Sequence, residues 1–364
     1  MMECSERVVL INSHGDRTIC IAFNHHWNSF PLSERYFSFV QKRFITIGLA
    51  ITSLTLITIF YISNSSNSNY FDFPKFQLYN TNNYTQSINT TRICCLILTT
   101  PKNFLTRAKA IHDTWGPLCD RHFFITENSS ESNSVEQINI TRELPIAPIT
   151  NIIPGYDHLT QKSVSAFLFA YQNYINDFDW FVKADDDTFI IVENLRAFLS
   201  KQNTSEPVTF GYNFKVIVPK GYHSGGASYV LSKESLRRFY TAHTNPNSSC
   251  RKDGGAEDVE VAKCLRNEGV YPGKSLDDQN RELFHPLPFH DHFRGSFPDW
   301  MLSYAENPLE AKYGCCGDQT ISFHYVSPED QYLMHFLLYK IRPISPIHRR
   351  SIDRFARSTA PVTS

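Results

Sequence analysis

Three consecutive carboxylates, Asp185-Asp186-Asp187, end a short apolar run, Asp179-Trp180-Phe181-Val182-Lys183-Ala184. Trp180, Phe181 and Val182 read as a buried strand. Three neighbouring acids repel one another, so their placement at a strand end is costly unless a cation or hydrogen-bond donors offset it. Hard oxygen ligands suit Mg²⁺ or Mn²⁺, and in open α/β sheets ligands gather where strands end. The plain alternative is a solvated acidic turn capping a helix that starts near Thr188. The triplet alone does not separate the two.

Three further clusters carry chemistry. In Gly254-Gly255-Ala256-Glu257-Asp258-Val259-Glu260-Val261-Ala262-Lys263-Cys264-Leu265 the spacing of Val261, Ala262 and Leu265 predicts a helix with Glu257 and Asp258 in its first turn. Acids there are favoured by the helix dipole alone, but a carboxylate can also act as general base toward a sugar hydroxyl. In the strand-like run Ile321-Ser322-Phe323-His324-Tyr325-Val326, His324 is the one imidazole; a lone histidine in a strand is usually packed, yet a neutral imidazole suits Mn²⁺ better than Mg²⁺. In His223-Ser224-Gly225-Gly226-Ala227-Ser228-Tyr229-Val230-Leu231-Ser232, paired glycines before a strand allow close approach of a backbone or ligand, or simply make a turn. Trp300 offers a flat face for a sugar or base, or a core ring.

The elements that must position these residues follow from the hydrophobic pattern. The 364 residues carry a net charge of -1, enough chain for one large domain, with no sign of a nucleic-acid surface. From Arg92 onward strands and helices alternate. Ile93–Thr100 and Arg121–Thr126 read as strands, Thr106–Trp115 and Leu159–Asn176 as helices, followed by a strand over 179–184 and a helix near 189–200. This predicts an α/β domain, over residues 91–340, with a largely parallel sheet. Upstream, the uncharged run Phe44–Ile62 is about long enough to cross a bilayer. Arg35, Lys42 and Arg43 precede it and no Lys or Arg follows until Lys75, which places residues 1–43 in the cytosol and the rest in the lumen. A cleaved signal peptide is the rival, disfavoured by the late start and the missing cleavage site. Residues 63–90 read as a polar stem and 341–364 as a basic, mobile tail.

Two features agree with a luminal address. Asn-x-Ser/Thr acceptors stand at Asn64, Asn83, Asn89, Asn128, Asn139, Asn203 and Asn247, all beyond the apolar run. Cys94, Cys95, Cys119, Cys250, Cys264, Cys315 and Cys316 fall on the same side, where disulfides persist. Seven is odd, so one thiol is left over or pairs with another chain. Cys315-Cys316 reads either as a vicinal disulfide or as two separate bridges.

The order of these motifs resembles the core 1 β1,3-galactosyltransferases, which belong with the Fringe-like β1,3-glycosyltransferases. The segments that carry the likeness are Trp180–Thr188, Ser224-Gly225-Gly226-Ala227, Gly254–Glu260, Gly314-Cys315-Cys316 and Phe323-His324-Tyr325-Val326. The resemblance implies a GT-A-type, Rossmann-like domain on a single-pass type II anchor in the Golgi membrane. It implies Mn²⁺-dependent, inverting transfer of galactose from UDP-galactose to GalNAc α-linked to Ser or Thr of a glycoprotein. By position Asp185, Asp187 and His324 match its metal ligands and Asp258 its base, with Glu257, Gly225 and Gly226 beside the acceptor. Asn103, Gly155, Lys162, Asp185, Trp300 and Tyr325 match donor contacts. It further implies disulfides Cys95–Cys119, Cys250–Cys264 and Cys315–Cys316 with Cys94 left over, a homodimer, and a dedicated chaperone as a partner to consider. Pro154 stands where the family tends to carry an acid, and the cytosolic tail is longer than is usual there. A related β1,3-glycosyltransferase with another acceptor, and a non-catalytic luminal chaperone or lectin-like relative, are the competing readings. Asp186 is left without a role.

Overall fold

The computed structural model describes residues 90–128 and 134–341. The anchor run, the cytosolic segment, nearly all of the stem and the basic tail lie outside them. Among the described residues no helix is long and apolar enough to cross a membrane. Asn128, Asn139, Asn203 and Asn247 are exposed, as glycan acceptors must be.

The chain begins with strand β1 (Ile93–Leu98), a π-type turn over Phe104–Ala108 and helix α1 (Lys109–Asp113), then β2 (Arg121–Ile125), α2 (Val135–Glu143) and α3 (Leu159–Tyr174). Next come β3 (Trp180–Asp185), β4 (Phe189–Ile190), α4 (Val192–Leu199), β5 (Val208–Gly211), β6 (Asn213–Phe214), β7 (Tyr222–His223), β8 (Tyr229–Ser232) and α5 (Lys233–Thr244). The remainder is α6 (Glu257–Asn267), β9 (Tyr271–Pro272), β10 (Phe284–His285), α7 (Phe289–Arg294), α8 (Asp299–Tyr304), β11 (Ser322–Phe323) and α9 (Pro328–Tyr339).

Six strands form the main sheet in the order β2-β1-β3-β8-β5-β9. It is mixed rather than largely parallel. β1 is parallel to both β2 and β3, and β5 to β9, but β8 runs antiparallel to β3 and to β5. The reversal has a local cause. Residues 224–228 lie across the carboxyl end of β3, where Lys183 Nζ donates to the Gly225 carbonyl at 3.2 Å, so the chain enters β8 from that end and must run back.

β1 is buried at every position, which explains its unbroken apolar run. Its alternation divides two cores. Ile93, Cys95 and Ile97 pack with Trp115, Trp180 and Val182 on one face. Cys94, Leu96 and Leu98 pack with Phe167, Phe181 and Phe239 on the other. The Cys95–Cys119 bridge ties β1 to the segment before β2, and Cys250–Cys264 ties the loop before α6 to that helix. Cys315 and Cys316 are bonded to each other. Cys94 faces the opposite core from Cys95 and is free; burial pushes its thiol up to about 12, so it is inert. Sulfur and nitrogen atoms of His243, Cys250 and Cys264 also lie close together, but both cysteines are spent in a disulfide and cannot ligate a metal.

Candidate active site at the carboxyl end of the third strand

The period of two along β3 sorts its last residues. Phe181, Lys183 and Asp185 share a face, so the Lys183 ammonium reaches Asp185 Oδ1 at 2.7 Å. The same ammonium lies 3.4 Å from Glu257 Oε2. Burial by itself lowers Lys183, but the Asp185 and then the Glu257 carboxylates outweigh it and hold it charged. Tyr229, opposite Lys183 in the β3–β8 register, stands beside it and donates its hydroxyl to Glu257 Oε1 at 2.7 Å.

The chain turns immediately after β3. Thr188 N donates to the Asp185 carbonyl, and Thr188 Oγ1 lies 3.2 Å from Asp185 N. α4 starts only at Val192, so the three acids do not cap a helix as the solvated-turn reading required. The middle acid points inward. Asp186 is 6% exposed and accepts from Thr99 Oγ1 and Asn103 Nδ2, both at 2.7 Å, and from Arg107 at 3.1 Å. Arg107 also reaches Asp187 Oδ2 at 3.1 Å. The turn is pinned from below: Trp115 Nε1 and Gln331 Nε2 both donate to the Thr188 carbonyl.

His324 arrives through a second, small sheet. β4 pairs antiparallel with β11 in the register Phe189↔Phe323, and Val326 N donates to the Asp187 carbonyl at 2.8 Å. His324 is thereby set beside the turn, with Nε2 3.2 Å from Asp187 Oδ1. One ligand atom each from Asp185, Asp187 and His324 lies within 4.8 Å of the others. Burial pushes the Asp187 carboxyl up, but the hydrogen bond from His324 and the charge of Arg107 hold it below the usual range. Two carboxylates and an imidazole converging on one point suit a divalent ion such as Mn²⁺.

The glycine pair separates this triad from the acids of α6. A Cβ on Gly226 would overlap the His324 ring, while one on Gly225 would come within 2.9 Å of Glu257 Oε2. Gly225 N donates to Asp258 Oδ2 at 3.2 Å. Asp258 is raised to about 6, first by burial and then by the charge of Glu257. Glu257 is buried, with Oε1 accepting from Tyr229 and Oε2 facing Lys183, so both of its oxygens are engaged inside the protein. His223, just before the glycines, is a core residue: burial lowers it to about 3, and Nε2 meets Thr209 Oγ1.

The remaining candidates are less evenly placed. Asn103 reaches the site through Asp186. Tyr325 follows His324, stacks on its ring at 3.7 Å between centroids, and is exposed with φ of 55°. Gly155, with φ of 116°, allows the turn that presents the exposed Tyr156. Lys162 is buried, and its ammonium is taken by the Thr99 carbonyl and Glu127. Trp300, half-exposed, packs edge-on against Phe214 and Tyr304, and Phe214 in turn meets Tyr222, which feels the Asp258 charge.

A family model described as Fringe-like matches residues 88–276. A protein of Xenopus laevis, glycoprotein-N-acetylgalactosamine 3-beta-galactosyltransferase 1, is 36% identical over 255 residues, which cover 69% of this chain and 67% of that one. Human chondroitin sulfate synthase 3 is 27% identical over 197 residues, 48% of this chain and 20% of that one. Mouse beta-1,3-glucosyltransferase is 27% identical over 181 residues, 45% and 36%. The chain thus spans two thirds of the first relative and well under half of the others. Sequence motifs, family match and the Xenopus relative converge: the chain belongs to the Fringe-like family, in its core 1 β1,3-galactosyltransferase group.

Proposed function

We propose that this protein transfers galactose from UDP-galactose to the 3-hydroxyl of GalNAc α-linked to Ser or Thr of glycoproteins, with inversion at the anomeric carbon. The observation that carries the reading is the pair of half-sites on either side of Gly225-Gly226. One is a ligand triad of Asp185, Asp187 and His324, and the other a carboxylate, Asp258, poised to take a proton. The family match and the name of the Xenopus relative support the donor sugar and the acceptor.

Asp185, Asp187 and His324 would hold Mn²⁺, which when bound supplies charge neutralisation to the departing diphosphate. Asp258, ionised at neutral pH, accepts the proton of the acceptor 3-hydroxyl as that oxygen bonds to the anomeric carbon of galactose. The bond from that carbon to the UDP oxygen breaks, and UDP leaves with the electron pair. Lys183 holds Asp185 and Glu257 at fixed separation, so both half-sites share one anchor. Asn103 and Arg107 hold the turn through Asp186. Trp300 and Tyr325 are read as donor-side rings. A GT-A-type domain on a type II anchor in the Golgi membrane, acting as a homodimer, is the matching cellular arrangement.

The direct test is incubation of the purified protein with UDP-galactose, Mn²⁺ and a GalNAc-peptide, with the product linkage read by NMR. A β1,3-linked galactose, lost on chelation, is expected. No transfer with or without metal overturns the reading and leaves a non-catalytic relative. Transfer only to other acceptors would favour a related β1,3-glycosyltransferase. Within this reading, Asp187→Ala should abolish Mn²⁺-dependent UDP binding, because it removes one ligand and the partner of His324. Calorimetry showing normal UDP binding in the presence of Mn²⁺ would sink the ligand assignment.

A further inference from the structure

Helix α9 is built inside out. It meets the rest of the protein with polar groups. Gln331 is fully buried, with Oε1 accepting from Trp115 Nε1 and Nε2 donating to the Thr188 carbonyl. His335, one turn on, is buried as well, and the hydroxyls of Tyr332 and Tyr339 donate to Asp113 and Glu193. The apolar side chains face the other way. Leu333, Phe336, Leu337, Leu338 and, just past the helix end, Ile341 are each between 44% and 52% exposed. Leu333, Leu337 and Ile341 stand four apart with Phe336 beside them, so they form one stripe along the helix. A surface helix ordinarily turns such a stripe to the core. A contiguous apolar patch turned to the outside marks a face that something covers.

Two observations choose the occupant. The first is charge. From residue 340 to the end, the sequence carries Lys340, Arg342, Arg349, Arg350, Arg354 and Arg357 against a single acid, Asp353. Packing the stripe on a second copy would bring two such basic segments together, at a cost in repulsion. An anionic lipid surface attracts them instead. The second is where the chain leaves the described fold. The Thr91 carbonyl accepts from Arg196 of α4, and Glu193, one turn earlier on α4, holds Tyr339 at the end of α9. The segment that leads back toward the apolar run Phe44–Ile62 and the basic segment therefore both depart beside the apolar end of α9. We propose that α9 rests on an anionic bilayer surface, with its apolar stripe among the headgroups and the basic residues after it on lipid phosphates. An outward apolar face flanked by Lys and Arg is the pattern of helices that lie in the membrane interface. With 12 residues, α9 is too short to cross the bilayer and lies on it. The proposal does not depend on the transfer reading.

The test uses the full chain reconstituted in vesicles of phosphatidylcholine, with or without phosphatidylserine. Leu337→Trp places an indole on the stripe, and its emission is read as the difference from wild type. In the anionic vesicles that emission should shift to the blue, and brominated lipid should quench it while aqueous acrylamide does not. In phosphatidylcholine alone most of the lipid quenching should be lost. Adding Arg349→Glu and Arg350→Glu should bring the anionic vesicles down to the same low level, because both charges then repel the surface. Adding Leu333→Ser and Ile341→Ser should lower the quenching as well, through the lost apolar contact. An unchanged melting temperature in detergent reports that the variants fold. Quenching by acrylamide and not by lipid in the anionic vesicles overturns the proposal. Protection from both quenchers would mean that protein covers the stripe, a second copy or the chain's own tail, and overturns it too. Equal lipid quenching in the two kinds of vesicle would remove the role of the anionic surface, and with it the proposal.

Discussion

Asp258→Asn is expected to cut turnover by roughly 100-fold or more while leaving Mn²⁺ and UDP binding near normal. The carboxylate lies across the glycine pair from the triad, bonded to Gly225 N and Val259 N. Asparagine keeps an acceptor for one of those amides but cannot take a proton from the acceptor hydroxyl. The pH dependence follows from the same group. Asp258 titrates near 6, so kcat/KM of the wild type should fall as pH drops through about 6, when the base becomes protonated. This limb should not move with Mn²⁺ concentration, because Asp258 stands outside the triad.

The same substitution has a stability consequence of known sign. A carboxyl raised on folding contributes stability below its unfolded value of 3.8, and loses it as pH rises through about 6. At pH 7 the charge is therefore a burden of at most about 3 kcal/mol, at about 1.36 kcal/mol per pK unit. Removing it should hold or raise the melting temperature even as turnover collapses. Stopped turnover, intact UDP binding and an unlowered melting temperature together identify a base; unchanged turnover removes Asp258 from the mechanism.

Much of this site can be read along the chain, for stated reasons. β1 and β3 are buried on both faces, so their apolar runs are continuous and visible. Glu257 and Asp258 fall in a helical first turn because Val261, Ala262 and Leu265 set the phase. What escapes is whatever depends on pairing between distant elements. β4 and β11 are two residues each, too short to show a period, yet their register carries His324 to Asp187. The direction of β8 is set by where the 224–228 loop crosses, which composition does not encode. Lys183 passes for a stray charge in an apolar strand; its signal is the spacing of two to Asp185, which puts both on one face. Asp186 sits in the turn just past β3 and faces inward to Thr99, Asn103 and Arg107, partners far away in the sequence. Arg107 carries no mark in the sequence beyond its place in a helical run. The disulfide pairs rest on family likeness, since spacing alone left the partners open.

Gly226→Ala is expected to cost at least roughly 100-fold in turnover, through a residue it does not replace. The glycine is needed for space: its position admits no Cβ without overlap on the His324 ring. The loop cannot easily retreat, because Thr188 Oγ1 donates to the Gly226 carbonyl at 2.8 Å and Ser322 Oγ to that of Ala227. His324 must then swing away from Asp187, and the triad loses a member. Gly225→Ala is the contrasting variant. Its Cβ would meet the ends of two longer side chains, Glu257 and Lys183, so Mn²⁺ binding should survive while the environment of Asp258 changes. A double-mutant cycle separates this mechanism from general damage. If Gly226→Ala acts through the imidazole, His324→Ala should produce a similar loss of Mn²⁺ affinity, and the two together should add little. Additive losses, or normal Mn²⁺ affinity in Gly226→Ala, would show that the glycine serves the loop and not the ligand. A coupled loss would make the two glycines a partition with distinct sides: one keeps the imidazole on the metal ligands, the other holds the base toward the acceptor.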